Sequence, residues 1–162
     1  MSGAVIRTAT LDDLSAIHAL TERLADFDLP PGRTAREIAR ADHPILIAQL
    51  ADPREDVLFL VAEDGSGAVA GTIFANTRAD YFTGHPIAYI EVLAVSAAAA
   101  GRGIARTLMV QAEEWARARG LVRVDLNVFA VNTRARGFYE HLGYRGEFVR
   151  YVKEVPPKGD TA

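Results

Sequence analysis

The sequence predicts an α/β fold in which one mixed sheet is covered by helices. Three observations carry the expectation. Residues 57–62 and 86–96 are apolar runs with the length and branched side chains of buried strands. Residues 101–119 place Ile104, Leu108, Ala112 and Trp115 on one stripe of a helix. Between that helix and the next, Val122, Val124, Leu126 and Val128 alternate with Arg123, Asp125 and Asn127, the two-residue period of a strand.

Each element can be justified in order. Residues 5–8 read as a first strand. Thr10, Leu11, Asp12 and Asp13 form a capping box with Asp13 in the place usually taken by Glu or Gln. Leu14, Ile17 and Leu24 then mark a helix to about residue 25. Pro30, Pro31 and Gly32 make a loop. A second helix starts near Thr34, and Pro44 breaks it and opens a further helical piece to about residue 50. Residues 63–67 (Glu-Asp-Gly-Ser-Gly) turn the strand 57–62 into a hairpin partner at 68–77. A loop at 81–85 leads into the third long strand, 86–96, whose single charge is Glu91. Glu113 and Arg117 pair on the long helix, and Gly120 stops it. Asn132 caps a last helix with an apolar face of Ala135, Phe138, Tyr139 and Leu142, ended by Gly143. Residues 148–155 are expected to form a final strand. The order is β-α-α-β-β-β-α-β-α-β, antiparallel early and parallel late. Residues 1–155 form a single domain, with a loose tail at 156–162.

Composition narrows the function. A chain of 162 residues is long enough for a core without covalent staples, because a domain of roughly 150 residues buries about 70% of its unfolded surface. It has no cysteine, which excludes disulfides, thiolate metal sites and a cysteine nucleophile. Residues 1–10 lack the apolar centre of a leader, and no apolar stretch reaches membrane-spanning length, so a cytoplasmic protein without membrane association is expected. The net charge is −3, unevenly spread: residues 1–91 carry 14 acidic and 7 basic side chains, residues 92–162 carry 7 and 11. That division suits an anionic cofactor in the second half and a cationic substrate in the first, although scattered solvated charge explains it equally. The basic residues form no run, which argues against nucleic acid binding.

The segment 94–106 concentrates the chemistry. It runs from strand to helix through Ala-Ala-Ala-Ala-Gly-Arg-Gly-Ile-Ala. Gly101 and Gly103 let backbone approach a ligand, and the free N–H groups of the helix start add positive potential, an arrangement that suits a pyrophosphate. Arg102 and Arg106 supply charge. A dinucleotide fingerprint would need a third glycine where Arg106 stands, and a P-loop would need Gly-Lys-Ser/Thr. A plain tight strand–helix joint is the competing reading. Asn132 belongs beside this loop, because helices of successive β-α units start at the same sheet edge. Tyr139 lies two turns further along, on a face it shares with core residues.

Taken together, residues 90–95 (IEVLAV), 101–120 (GRGIARTLMVQAEEWARARG), 126–132 (LNVFAVN) and 137–144 (GFYEHLGY) resemble the GCN5-related N-acetyltransferase (GNAT) family. The resemblance covers roughly 57–153. It departs from the family at Ala100, where relatives carry Arg or Gln; Gly103 and Ala105 fit the pattern. The resemblance implies an acyl-CoA N-acyltransferase fold with acetyl-CoA as co-substrate and no metal. It implies that backbone at Leu93, Ala94 and Val95 pairs with the pantetheine arm, and that the amides of Gly101, Arg102, Gly103, Ile104, Ala105 and Arg106 hold the pyrophosphate. It further implies that Asn132 contacts the cofactor and that Tyr139 faces the thioester sulfur.

The mechanism expected on that basis is direct transfer to a primary amine. An N–H near a bulge at residues 93–95 would stabilise the oxyanion, and Tyr139 would protonate the leaving thiolate. Glu91 is the first candidate for the base, since a charge in an apolar strand is costly unless solvated or functional; its bland reading is a carboxylate on an open sheet face. His85 is the second candidate. Asp26, Phe27 and Asp28 in one loop, with Asp80, Tyr81, Phe82 and His85 in another, would flank the acceptor, and an acidic, aromatic rim suits a cationic amine. The acceptor is expected to be a small amine. A peptide or protein amine, a non-catalytic acyl-CoA sensor and a nucleotide-binding regulator remain alternatives. Members of the family are often dimers, so a homodimer is a further expectation.

Overall fold

A computed structural model describes residues 3–159. The first strand, β1 (Val5–Thr8), is followed by a 3-10 turn at Leu11–Asp13 and by α1 (Leu14–Thr21). The turn is held as the capping box anticipates: Asp13 accepts from the Thr10 N–H at 2.8 Å. The same carboxylate takes two guanidinium bonds from Arg7, each 2.8 Å, and Arg7 also donates to Glu63 at 2.6 Å. Asp13 is buried, and these bonds hold its carboxyl below the ordinary range. The helix expected to run to residue 25 tightens to a 3-10 turn over Glu22–Ala25. Next come α2 (Ala35–Arg40), with a Thr34–Glu37 capping box, and α3 (His43–Ala51), with Pro44 in its first turn.

Strands β2 (Val57–Glu63), β3 (Val69–Ala79) and β4 (Pro86–Val95) form an antiparallel meander. The long helix α4 (Ile104–Ala118) returns the chain to β5 (Val124–Leu126), and α5 (Thr133–His141) follows. The sheet order is β1-β2-β3-β4-β5, antiparallel throughout except for the β4–β5 pair, which is parallel. Ile17, Leu46, Val61, Phe74 and Val92 pack on one sheet face against α1 and α3. Ile73, Ile90, Ile104, Leu108 and Met109 pack on the other against α4, with Phe138 and Tyr139 of α5 alongside. Adjacent residues such as Ile73 and Phe74 thus enter opposite cores, as the strand period requires. Gly71 permits the close approach of α4: a Cβ there would meet Ile104 Cγ2 at 2.8 Å.

The expected final strand does not form. Residues 148–155 belong to no ladder, and residues 145–159 contribute no backbone hydrogen bond among the described residues. Phe148, Val149, Tyr151, Val152 and Val155 are all exposed. Apolar residues fall there in adjacent pairs, so no single face is directed to a core, and a strand without a neighbouring edge has nothing to bond. The strand read at 122–128 is likewise only Val124–Leu126. Of the tail, residues 160–162 lie outside the described residues.

Candidate active site

Two breaks in the sheet make the site. The first is the end of the β4–β5 ladder at Ile90 and Leu126. Beyond it, Leu93, Ala94 and Val95 still pair with β3 but have no partner on the β5 side. The second is a bulge: Phe74 pairs with Val92 and Ala75 with Ile90, so Glu91 is the extra residue. The bulge expected at 93–95 is therefore at Glu91. A bulge re-aims its own side chain, which accounts for a carboxylate in the middle of an apolar strand.

A cleft of about 810 Å³ opens between the diverging strands. Its lining brings together residues that are distant in sequence. Leu93, Ala94, Val95, Gly101, Gly103, Ile104, Ala105, Arg106, Asn132 and Tyr139 all border it, as do Glu91 and Asp42. Arg102 is exposed on the same loop but does not line the cleft. Gly101 and Gly103 have φ of 77° and 82°, which L side chains rarely adopt. Gly103 caps α4 without a side-chain bond. The first backbone bond into the helix is from the Thr107 N–H to the Gly103 carbonyl, leaving the N–H groups of residues 103–106 without a backbone acceptor among the described residues. These are free donors at the positive end of a helix dipole, and they fit an anionic phosphate. Ala100 is exposed and offers no side chain to the loop.

Asn132 caps α5 by accepting from the Ala135 N–H at 3.1 Å, and its amide NH₂ donates no hydrogen bond among the described residues. Tyr139 is half-buried between Phe138 and Tyr144, and its hydroxyl has no hydrogen-bond partner among the described residues. Burial pushes its pKa up to about 12. The neighbouring Tyr144 hydroxyl donates to Glu113 at 2.9 Å and is thereby occupied. A thiolate leaving within the same cleft would be raised by the same burial, so the order of the two acids is not changed by burial alone.

At the other end of the cleft, the Glu91 side chain is only 9% exposed. Its Oε1 accepts from Asn76 at 2.9 Å and pairs with Arg78, whose guanidinium lies 4.0 Å from the Tyr89 ring centroid. No hydrogen bond falls on Oε2 among the described residues. Asp42 was missed by the sequence reading. It occupies the N-cap of α3, yet its side chain makes no capping bond. Burial raises its carboxyl above the ordinary range; the Glu91 charge adds to the rise and Arg78 opposes it. A sequence search for Asp at an N-cap finds it, but reads it as a cap. Nothing local says that it borders the same cleft as Glu91.

The expected rim residues are divided. Asp26 borders the cleft. Phe27 and Asp28 sit with Asn132 and Arg134 around an adjoining depression at the start of α5, and the Phe27 ring is 5.4 Å from that of Phe129. Tyr81 is 92% exposed and stacks edge-on with Phe82, and neither Tyr81 nor His85 borders the cleft. Asp80 builds its own turn, accepting from the Thr83 N–H and hydroxyl at 2.7 Å each.

The acetyltransferase (GNAT) family model matches residues 17–144, which includes the cradle, the bulge and α5. The chain belongs to the GNAT family. A mycothiol acetyltransferase from Beutenbergia cavernae is 42% identical over 100 residues, covering 62% of this chain and 32% of that protein. The chain thus spans about a third of that relative's length. Among solved structures, a protein from Bacillus halodurans superimposes with a TM-score of 0.74 at 21% identity, covering 94% of this chain and 98% of that one. AAC(6')-Iy in complex with the bisubstrate analog CoA-S-monomethyl-acetylneamine gives 0.68 at 21% identity, covering 96% and 100%. At these identities the structural likeness speaks for the GNAT fold, and the family membership rests on the sequence match.

Proposed function

We propose that the protein is an acetyl-CoA-dependent N-acetyltransferase that acts on a primary amine of a small, cationic molecule. One observation carries the reading. A single cleft joins free helix-start amides at Gly103–Arg106 to a phenol at Tyr139 and then to two carboxylates, Asp42 and Glu91. That is an anion cradle, a proton donor and a cation site in one cleft. The aminoglycoside ligand of AAC(6')-Iy and the name of the mycothiol relative agree with a small amine acceptor.

Acetyl-CoA supplies an activated thioester. The amides of residues 103–106 hold its pyrophosphate, and the unpaired edge of β4 at Leu93–Val95 takes the pantetheine as an added strand. The NH₂ of Asn132 lies beside it. The acceptor arrives as an ammonium and is drawn between Asp42 and Glu91. Asp42, the carboxyl with the raised affinity for protons, takes the proton directly or through water, freeing the nitrogen lone pair. Glu91, already ion-paired, holds the charge. As the C–N bond forms and the C–S bond breaks, Tyr139 donates a hydrogen bond to the departing sulfur, which takes up the second proton lost by the acylated nitrogen and leaves as the thiol. With its pKa raised, it stabilises the developing charge more than it releases a proton.

Incubation with acetyl-CoA and a panel of amines, monitored by free thiol, tests this. Thiol release with polycationic small amines and little with neutral ones is expected. CoA binding by calorimetry without thiol release from any amine would instead favour a sensor.

A further inference from the structure

We infer that Arg78, seated on the Tyr89 ring, is a positioning residue for the acceptor amine: it fixes Glu91 as a permanent counter-ion and leaves Asp42 to take the proton. The inference rests on the amine reading of the cleft. Asn76 pairs with Tyr89 across β3 and β4, and alternate residues of a strand share a face, so Asn76, Arg78 and Tyr89 lie on the face that carries Phe74. The bulge places Glu91 beside them. Asn76 and Arg78 both donate to one oxygen of that carboxylate, Oε1, the amide at 2.9 Å. The Arg78 guanidinium is itself held 4.0 Å from the Tyr89 ring centroid, a cation–π contact. Glu91 and Asp42 border the cleft, whereas Asn76, Arg78 and Tyr89 do not. Arg78 therefore acts on an acceptor only through the carboxylates.

An ion pair in open water contributes little, but this one is anchored at its buried end. The Arg78 side chain is 48% exposed and that of Glu91 only 9%. The Asn76 Oδ1 is buried with no partner among the described residues, so the amide serves Glu91 while its own carbonyl goes unpaired, an uncommon arrangement. Asp42, by contrast, makes no side-chain capping bond. Two carboxylates on one partly buried cleft tend to share a proton, because each charge opposes the other. A protonated Asp42 cannot accept a proton from an ammonium. Burial and then the Glu91 charge push Asp42 in that direction, and Arg78 opposes them. The other charged groups nearby are engaged elsewhere. Asp125, opposite Tyr89 on β5, is bound by Arg123 at 2.7 Å. His43, next to Asp42, bonds the Thr21 hydroxyl and stacks on His18, and Arg40 acts on that ring. On the α2 side, Arg23 pairs with Asp26, and Arg33 acts on Glu37, which is bound in the Thr34 cap.

One readout needs turnover and one does not. Carboxyl NMR titration follows Asp42 with no substrate present. Arg78→Gln should move its midpoint to higher pH, and Arg78→Lys, which keeps the charge, should bring it back toward the parent. With acetyl-CoA and an amine that the parent turns over, the ascending limb of kcat/KM should move the same way. Arg78→Gln should be about tenfold slower on the limb, as for loss of one nearby opposite charge, and should approach the parent on the plateau, where Asp42 is ionised in both proteins. Tyr89→Phe keeps the ring under the guanidinium and should leave the limb in place, whereas Tyr89→Leu should shift it part of the way. Melting temperatures check that each variant folds. A midpoint and limb unmoved by Arg78→Gln in a protein that turns over amines overturn the inference. So does an equal loss at every pH, which would make Arg78 a structural support. A parent that releases no thiol with any amine overturns the amine reading itself and takes the positioning role with it.

Discussion

At the scale of single residues, Tyr139 and Asp42 carry the chemistry. Tyr139→Phe deletes one hydroxyl that has no hydrogen-bond partner among the described residues. If that hydroxyl serves the leaving sulfur, turnover should fall about 10²-fold, the low end for a positioned proton donor, because burial has raised its pKa to about 12. The melting temperature should hardly move, since no partner is orphaned. Full turnover in the phenylalanine variant would make Tyr139 a packing residue. Asp42 is the complementary case. Its raised carboxyl must be ionised to accept a proton, so kcat/KM should rise with pH along a limb above the ordinary carboxylate range. Asp42→Asn should abolish that limb and raise KM for cationic amines, leaving CoA affinity, read by calorimetry, unaltered. Retention of the limb would move the base to Glu91 or water.

At the scale of elements, the start of α4 and the contact of α1 with α3 make separate predictions. Gly103→Asp places a side chain at φ 82° and a negative charge among free amides, so CoA binding should be lost. Gly103→Asn, which tolerates the left-handed region better and is neutral, should lose less. Equal binding by all three proteins would displace the cradle. Ala100→Arg should tighten CoA binding several-fold through one charge-assisted contact; an unchanged affinity would mean that the amides alone suffice. Between α1 and α3, the His18 and His43 rings stack at 3.9 Å, and His43 bonds the Thr21 hydroxyl at 2.8 Å. Burial, then His18 and Arg40, lowers the His43 pKa below its ordinary value of 6.5. The unfolded chain therefore binds the proton more readily than the folded one. Above about pH 6.5 the ring is neutral in both states and costs nothing. Stability should fall as pH drops below that value, with the full cost reached below the folded pKa. Melting temperatures from pH 7.5 to 5 measure the slope, and His43→Gln should flatten it.

At the scale of the whole molecule, the Arg7–Asp13–Glu63 cluster ties β1, the first turn and β2 together. Asp13→Asn should cost about 2–3 kcal/mol of unfolding free energy in denaturant titration, as expected for charged hydrogen bonds at a buried carboxylate; a loss below about 0.5 kcal/mol would show the cluster to be solvated surface. The sequence by itself determined the local units: Thr10–Asp13 as a cap, Pro44 as a helix start, Glu63–Gly67 as a turn, the α4 stripe and the glycines before it. Each is decided by neighbours within a few residues, so backbone preference and periodicity suffice. It also marked Glu91 as anomalous, because charge in an apolar strand is visible without a structure. Only the tertiary structure decided that Glu91 is a bulge, since a bulge exists only against a partner strand. Only it brought Asp42 into the cleft that Glu91 borders, since residues 49 positions apart are brought together by packing rather than local pattern. It also left Tyr81 and His85 outside the cleft and residues 148–155 without a ladder. Strand composition states a capacity for hydrogen bonding, whereas a strand forms only where another backbone edge is within reach.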